Sequence, residues 1–175
     1  YPGYYLPEDR ARRITQLLDP KSNWDKEAVS KMIFDNTSAV APEVVQELIS
    51  NVDYNSLSKN EKEAITILKA WKGSNNLEDV APTIYNKWIY MYLKNTFEDE
   101  LGSANFKQFL GTHIMKQIIA KQMANENSLW WDNIATKGKK ETRSQVLSKS
   151  FKESILALDK QLGNSVSGWT WNKVH

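Results

Sequence analysis

Apolar side chains recur every three or four residues through most of this sequence, and that spacing constrains the fold more than any other feature. The clearest case lies between Glu141 and Leu162, where one helix face carries Leu147, Phe151, Ile155, Leu158 and Leu162. Glycine and proline number only 7 and 5 among 175 residues, so few positions can interrupt a helix. The pattern predicts about seven helices with short connections, in a single helical domain over residues 1–175.

Turn and capping residues set the limits of the predicted helices. Pro7 suits the first turn of the opening helix, because proline lacks the N–H that would be unpaired there. Ser58 and Glu61 have the spacing of a capping box, in which each side chain accepts a hydrogen bond from the other residue's backbone N–H. The predicted helices cover residues 7–18, 24–36, 41–52, 58–72, 82–102, 112–125 and 141–162, with a short helix over 105–110.

Two segments depart from the helical pattern. Residues 125–140 are mostly polar, and the pair Trp130–Trp131 is expected to pin them to the core as a long loop. In the last ten residues, Trp169 and Trp171 alternate as at the beginning of a strand. The sequence therefore predicts an all-α fold with a short strand-like C-terminal tail.

Charge and cysteine content argue against several classes of function. Lys and Arg exceed Asp and Glu by two, 23 against 21, which does not favour nucleic acid or an anionic membrane as a partner. No apolar run approaches the ~20 residues of a membrane span. Cysteine is absent, which excludes disulfides, zinc–thiolate sites and a cysteine nucleophile. His113 and His175 stand alone in the sequence, so no metal site is predicted.

Acidic residues offer no recognisable catalytic pattern either. Asp35, Asp99, Glu100 and Asp132 lie near predicted helix ends, where carboxylates are usually helix caps or solvated charges, and Asp35 and Asp132 are expected to cap or to bridge. The sequence contains no G-x-S-x-G motif and no phosphate-binding glycine loop. Residue chemistry alone therefore predicts a helical domain without an identifiable active site.

The first helix carries three arginines within four residues: Arg10, Arg12 and Arg13. Folding of a helix requires none of them, and such clusters usually form a solvated face with salt bridges. We interpret Arg12 and Arg13 in this way. For Arg10, the corresponding interpretation is a surface pair with Glu8 or Asp9.

The opening helix and five later segments share their sequence patterns with one enzyme family. The segments are YYLPEDRARRI (4–14), MIFDNTS (32–38), ILKAWKG (67–73), PTIYNKW (82–88), WWDNIATKGKKET (130–142) and LGNSVSGWTWNKVH (162–175). In this order they resemble the β-chain of the penicillin amidase family of N-terminal-nucleophile hydrolases. Lys72, Asn133 and Asn172 depart from the family pattern, where an aspartate, a second aspartate and a glycine are common. The resemblance implies a helical fragment of a larger α/β/β/α hydrolase.

The resemblance also implies a role for Arg10. Family enzymes cleave an amide with an N-terminal serine whose own α-amine is the base, and an asparagine side chain helps to stabilise the oxyanion. The pair Asp9–Arg10 matches the family's D-R pair, whose arginine forms hydrogen bonds around that asparagine and the serine. Arg10 is therefore the expected catalytic-support residue of this chain. Tyr1 cannot replace the serine, and the asparagine and at least most of the calcium ligands are expected before Tyr1.

Several expectations about the whole protein follow from the resemblance. We expect an amide hydrolase acting on an N-acylated small molecule, such as a β-lactam antibiotic or an acyl-homoserine lactone. This chain would be a processed or excised piece, inactive alone, with no cofactor of its own and calcium possible in the parent enzyme. Its partners would be the α-chain and the remaining β-chain, with no nucleic acid and no membrane, in a periplasmic or secreted location.

Two other hypotheses remain open from the sequence. The chain could be a non-enzymatic interaction domain whose binding surface consists of exposed aromatic residues, namely Tyr4, Tyr5, Tyr90 and Tyr92. It could also belong to a degenerate family member that folds like an acylase but lacks the nucleophile.

Overall fold

Residues 8–20 and 22–175, which the computed structural model describes, form seven α-helices and four 3-10 turns. The helices are α1 (Asp9–Leu18), α2 (Lys26–Ile33), α3 (Ala41–Ser50), α4 (Lys59–Ala70), α5 (Ala81–Leu110), α6 (His113–Ala124) and α7 (Arg143–Leu162). The 3-10 turns are Tyr54–Ser56, Leu129–Trp131, Val166–Gly168 and Trp171–Lys173. No strand occurs within this described part, so the all-α prediction is confirmed.

The core lies where the first part of α5 packs along α7. Trp88 of α5 is fully buried, and its ring centroid lies 4.5 Å from that of Phe151 in α7. The indole N–H of Trp88 donates to the carbonyl of Leu147 at 3.3 Å. The predicted apolar face of α7 is confirmed, since Leu147, Phe151, Ile155 and Leu158 are all buried. Helices α3, α4 and α6 pack around this pair.

Most of the predicted helix limits agree with the structure to within a few residues. The capping box is present: Ser58 N–H donates to Glu61 Oε2 at 2.7 Å, and Glu61 N–H donates to Ser58 Oγ at 3.4 Å. Helix α2 begins later than predicted, because the Asp25 side chain caps it by accepting a hydrogen bond from Ala28 N–H, and it ends earlier, at Ile33. The predicted break at Gly102 is a sharp kink, with φ 73° and ψ 155°, and α5 continues directly beyond it.

Three buried tryptophans fix the connections next to them. The indole N–H of Trp71 donates to the Ser74 carbonyl at 2.7 Å, just after α4. Trp131 donates to the Asn125 carbonyl at 2.8 Å and stacks on Tyr92, with ring centroids 6.0 Å apart. The prediction that tryptophan pins the 125–140 loop is therefore confirmed. Trp169 donates to the Gly163 carbonyl at 2.6 Å.

The strand-like C-terminal tail is not present; the tail forms two 3-10 turns instead. The alternation that suggested a strand has another cause. Trp169 is fully buried in the helical core, whereas Trp171 is half-buried and stacks on His175, with ring centroids 5.1 Å apart. The backbone N–H of Trp171 pairs with the Asp79 carbonyl at 2.9 Å, a loop contact that ties the tail to the start of α5.

Two of the four tyrosines in the alternative aromatic binding surface, Tyr90 and Tyr92, lie in the described residues, and they differ in exposure. Tyr92 is fully buried, and its hydroxyl donates to the Ile119 carbonyl at 3.0 Å. It lies one turn after Trp88, on the same buried face of α5. Tyr90 is 38% exposed. Tyr4 and Tyr5 lie outside the described residues, as do Tyr1 and the predicted helix start at Pro7.

Helices α1 and α2 form a separate outer pair, described from Asp9 to Ile33 except for position 21. Neither helix contains a buried residue. Large apolar side chains of this pair are exposed instead, among them Ile33 at 63% and Phe34, directly after α2, at 80%. Among all helices in the described ranges, none combines the length and hydropathy required to cross a bilayer.

Candidate functional site

Asp9, at the start of α1, caps the N-terminus of α3. Helix α3 begins after Val40, whose side chain has no hydrogen-bond acceptor. The Asp9 carboxylate accepts hydrogen bonds from Ala39 N–H at 2.6 Å, Val40 N–H at 3.1 Å and Ser38 Oγ at 2.8 Å. Ser38 Oγ in turn accepts from Ala41 N–H at 2.9 Å. A carboxylate is well suited here, since the first turn of a helix carries unpaired N–H groups and partial positive charge.

Arg13 holds Asp35 in a two-bond ion pair. Arg13 Nε donates to Asp35 Oδ1 at 2.9 Å, and Nη2 donates to Oδ2 at 2.7 Å. The side chains are only 23% and 15% exposed. The hydrogen bond from Arg13, assisted by Thr37 N–H, lowers the pKa of Asp35, although desolvation opposes the shift. The same pairing raises the pKa of Arg13.

Arg12 pairs with Glu43 on α3, again through two nitrogen–oxygen contacts, one of which is 3.0 Å. This pair is more exposed than Arg13–Asp35, with side-chain exposures of 37% and 62%. The hydrogen bond between them raises the pKa of Arg12 and lowers that of Glu43. The prediction that Arg12 and Arg13 form salt bridges is confirmed, but their partners lie after α2 and on α3 rather than on α1.

Arg10 is an exposed residue with a different kind of partner. Its Nη1 donates to the backbone carbonyl of Asp35 at 3.2 Å. It does not pair with Asp9, whose carboxylate is occupied by α3. Within residues 8–20 and 22–175, Arg10 has no further hydrogen bond and no ion pair. Since a guanidinium carries five N–H donors, most of the donors of Arg10 are not engaged by the described chain.

A cleft of about 350 Å³ lies beside Arg10. Its lining residues are Asp9, Arg10, Ile33, Asp35, Asn36, Thr37, Ser38 and Asn75. The walls are tied together by amide contacts, including Asn75 Nδ2 to the Asn36 carbonyl at 2.8 Å. Ser38 N–H donates to the Gly73 carbonyl at 2.8 Å, which joins the cleft to the end of α4.

The backbone approach at Gly73 is too close for a side chain. Gly73 has φ +91°, and a Cβ placed there would lie 2.0 Å from the Ser38 carbonyl oxygen. The position therefore requires glycine both for its conformation and for space. The close contact between Gly73 and Ser38 holds the cleft against the end of α4.

The cleft's chemistry is that of a polar docking site with one available cation. Asp35 is in an ion pair with Arg13 and the Asp9 carboxylate is engaged as the cap of α3, so the charged group of the lining that is available to an external partner is the guanidinium of Arg10. Such a group binds carbonyl, amide or carboxylate oxygens. Ser38 lines the cleft, but its hydroxyl is engaged between Asp9 and α3 as a cap. The described lining residues thus supply a hydrogen-bond-donating cation, Arg10, and a serine hydroxyl that is already engaged.

The other acidic residues named from the sequence serve the loop between α6 and α7. Asp99 Oδ2 accepts from Ile134 N–H at 2.8 Å, and Asp132 Oδ1 accepts from Glu141 N–H at 3.2 Å. Asp35 and Asp132 therefore bridge, as predicted. Partial desolvation and the neighbouring Asp99 raise the pKa of Glu100 to about 7. No three His, Asp or Glu side chains of the described part are arranged to hold a metal ion.

Sequence reasoning missed two functions in this region. It considered Asp9 as a possible surface partner of Arg10 and as part of the D-R pair, whereas the Asp9 carboxylate caps α3. It also missed Glu43 as the partner of Arg12. One signal was available for the first: Ala39 and Val40 precede α3 and carry no side-chain oxygen, so that helix needs a cap from elsewhere.

Comparison with known proteins gives a consistent result over the whole chain. The family model for penicillin amidase matches residues 1–175. An acyl-homoserine lactone acylase QuiP of Pseudomonas fluorescens (strain Pf0-1) is 27% identical over 183 residues, covering 95% of this chain and 22% of that protein. The acyl-homoserine lactone acylase QuiP of Pseudomonas aeruginosa (strain PAO1) is 24% identical over 189 residues, covering 99% of this chain and 22% of that protein. The chain thus spans about a fifth of the length of these curated relatives.

Proposed function

The chain belongs to the penicillin amidase family, and on that premise we propose that it is the helical portion of an acylase. The reaction is hydrolysis of the amide bond of an N-acylated small molecule, which gives a carboxylic acid and a free amine. The names of the relatives support an acyl-homoserine lactone as the first substrate to test. The side-chain amide of a β-lactam antibiotic is the second.

One observation carries the proposal for the site: of the three arginines of α1, Arg10 alone is not paired with a carboxylate of the described chain. Arg12 and Arg13 each bind one in a two-bond ion pair. Arg10 lies at the mouth of the cleft with most of its donors available. It is also the arginine that matches the family's D-R pair.

The proposed role of Arg10 follows from its chemistry. A guanidinium can only donate, so it can bind an asparagine side chain only through the amide oxygen. Such a bond would leave the amide N–H groups of that asparagine directed away from the arginine, available for an oxyanion. Preorganised donors of this kind stabilise the tetrahedral intermediate of acyl transfer. Arg10 would therefore orient the oxyanion asparagine, which the resemblance places outside this chain, and would not attack the substrate.

The outer pair supports the same proposal. Its apolar side chains remain exposed, and Ile33 lines the cleft next to Arg10. We propose that the rest of the acylase polypeptide covers this face and brings the nucleophilic serine and the asparagine to Arg10. The 175-residue chain alone would then have no turnover. Calcium finds no ligand set in the described part, so no step is assigned to it. A periplasmic or secreted location is proposed from the family resemblance alone.

The test is turnover of an N-acyl-homoserine lactone by the full-length protein, with the released homoserine lactone measured by mass spectrometry. We expect Arg10→Ala to lower kcat by about 100-fold, the scale of losing one oxyanion donor. Arg12→Ala is the matched control, because it removes the same side chain from the same helix without touching the cleft. It should keep kcat close to that of the wild type.

Two results would contradict the proposal in different ways. A wild-type kcat in the Arg10→Ala variant would remove Arg10 from the mechanism. A folded full-length protein that releases no amine from any N-acyl substrate would reject the acylase itself, and would favour a degenerate family member.

A further inference from the structure

We propose that Asp35 is the positioning residue for Arg10, with its backbone carbonyl holding the guanidinium and its carboxylate fixed by Arg13. The inference rests on the proposed function. It extends the functional site from one residue of α1 to a unit of three: Arg10, Arg13 and Asp35.

Asp35 contacts the two arginines through different groups. Its carbonyl oxygen accepts the hydrogen bond from Arg10 Nη1 at 3.2 Å. Its two carboxylate oxygens accept from Arg13 at 2.9 and 2.7 Å. Because backbone and side chain belong to one residue, an ion pair that fixes the side chain also limits how the carbonyl can turn.

The backbone at Asp35 has little regular structure to hold it. Helix α2 ends at Ile33, and Asp35 lies two residues beyond, where helix carbonyls no longer have partners within the helix. The segment is held by Asp35 N–H to the Met32 carbonyl at 3.3 Å and by Thr37 N–H to Asp35 Oδ1 at 3.2 Å. The pair with Arg13 adds two shorter bonds that connect this segment to α1. Together with the bond from Asn75 Nδ2 to the neighbouring Asn36 carbonyl at 2.8 Å, this pair restricts the direction of the Asp35 carbonyl.

Arg10 depends on that carbonyl more than Arg12 or Arg13 depends on any single bond. Within the described ranges, its one hydrogen bond is the bond to Asp35. Its side chain is otherwise exposed and free to adopt many rotamers. A displacement of about 1 Å in a group that orients a reacting centre can lower a rate by about 100-fold.

Arg13 also protects Arg10 from the carboxylate next to it. If Arg13 were absent, the Asp35 carboxylate would be an unpaired negative charge beside the guanidinium of Arg10. It would attract that guanidinium away from the cleft mouth. The ion pair with Arg13 lowers the pKa of Asp35 and balances the negative charge of its carboxylate. The guanidinium of Arg10 therefore remains available to an external oxygen.

A double-mutant cycle in the full-length acylase tests the inference. We expect Asp35→Asn to lower kcat for an N-acyl-homoserine lactone about tenfold, with KM changed less than twofold. In an Arg10→Ala background, Asp35→Asn should have no further effect on kcat, since a residue that acts through Arg10 cannot act without it. A purely structural role would lower kcat in both backgrounds.

Glu43→Gln is the matched control. It weakens the other arginine–carboxylate pair that ties α1 to the rest of the chain, and it leaves Asp35 intact. We expect kcat within twofold of the parent in both backgrounds. If Asp35→Asn does not fold, Arg13→Lys replaces it in the cycle, because lysine keeps the charge but cannot form the two-bond pair.

The outcomes separate the inference from the proposed function. If Arg10→Ala lowers kcat but Asp35→Asn is neutral or additive with it, the positioning role is wrong and the role of Arg10 stands. The same conclusion follows if Glu43→Gln lowers kcat as much as Asp35→Asn. If Arg10→Ala has no effect, Arg10 has no part in the mechanism and the positioning role of Asp35 fails with it, while the acylase activity stands. If no amine is released by any variant, the acylase function itself is wrong.

Discussion

The outer pair α1–α2 and the core around α5 and α7 are held by opposite kinds of interaction. The core contains large side chains with no exposed surface, including Trp88, Tyr92 and Phe151. The outer pair, in its described residues, buries none and is attached through the Asp9 cap and two arginine–carboxylate pairs. Apolar burial supplies more free energy, whereas hydrogen bonds and ion pairs specify direction. The comparison indicates that the core determines the fold and the outer pair determines the geometry of the candidate site.

The largest expected effect tests whether stability is concentrated in the core. Trp88→Ala would remove a fully buried indole packed on Phe151, and we expect a loss of about 3–5 kcal/mol in the free energy of unfolding. Phe34→Ala is the control in the outer region, where the ring is 80% exposed and the change should stay within about 0.5 kcal/mol. Urea unfolding followed by far-ultraviolet circular dichroism measures both. Equal losses would show that the outer region is as well packed as the core.

The second test acts on the junction between the two regions. Gly73→Ala would place a Cβ against the Ser38 carbonyl, and we expect a loss of about 2–4 kcal/mol from positive φ and the clash together. Gly163→Ala has nearly the same φ, +90°, and no atom within 4 Å of the new Cβ. It should lose only about 1–2 kcal/mol, the conformational part. The difference in unfolding free energy between the two variants, obtained from thermal unfolding, measures the cost of the clash with the Ser38 carbonyl. Equal losses would mean that the backbone around Gly73 and Ser38 can move apart to admit the new Cβ.

The third test is confined to the outer pair. Arg13→Ala should lower the opening free energy of α1 by about 1–3 kcal/mol, because it leaves the partly buried Asp35 carboxylate without its main partner. Hydrogen exchange of peptides covering residues 9–18 measures this, and peptides from α7 serve as the internal reference. Faster exchange throughout both helices would mean that the outer pair and the core unfold together. Arg12→Ala, at the more exposed pair, should change the exchange of α1 much less.

The smallest expected effect lies on an exposed acidic side chain of α5, Glu100. The pKa of Glu100 is raised from 4.5 to about 7, so its proton favours the folded state below pH 4.5 and this contribution is lost as the pH rises through 7. Glu100→Gln should therefore become more stable relative to the wild type between pH 5 and 7. Water screens this exposed carboxyl, so we expect a shift of only a degree or two in Tm. Parallel Tm curves from pH 5 to pH 7 would contradict it.

The sequence predicted the core better than it predicted the site. Helical periodicity placed Leu147, Phe151 and Ile155 on a buried face because one helix face can be read from neighbouring residues. The cap from Asp9 to Ala39 and Val40 spans 30 and 31 positions. The spacing of apolar residues cannot predict a contact between residues so far apart in the sequence. The pair of Arg12 with Glu43 could not be predicted for the same reason.

The wrong predictions for the C-terminal tail and for Tyr92 have a related cause. Alternating tryptophans resemble a strand when only spacing is considered, but Trp169 is buried by packing against helices that lie far away in the sequence. The interaction-domain hypothesis placed Tyr92 on an exposed aromatic surface. Its hydroxyl instead meets a carbonyl of α6, and only the tertiary structure reveals that partner.

The three tryptophans that donate to loop carbonyls also restrict where this protein can change in length. Each indole reaches across a fixed number of residues, from Trp71 to Ser74, from Trp131 back to Asn125 and from Trp169 back to Gly163. An insertion inside any of these spans would separate ring and carbonyl. Residues 134–140 are all exposed and lie outside them. Natural insertions, epitope tags or engineered cleavage sequences should therefore be tolerated at that loop tip and rejected inside the three short spans.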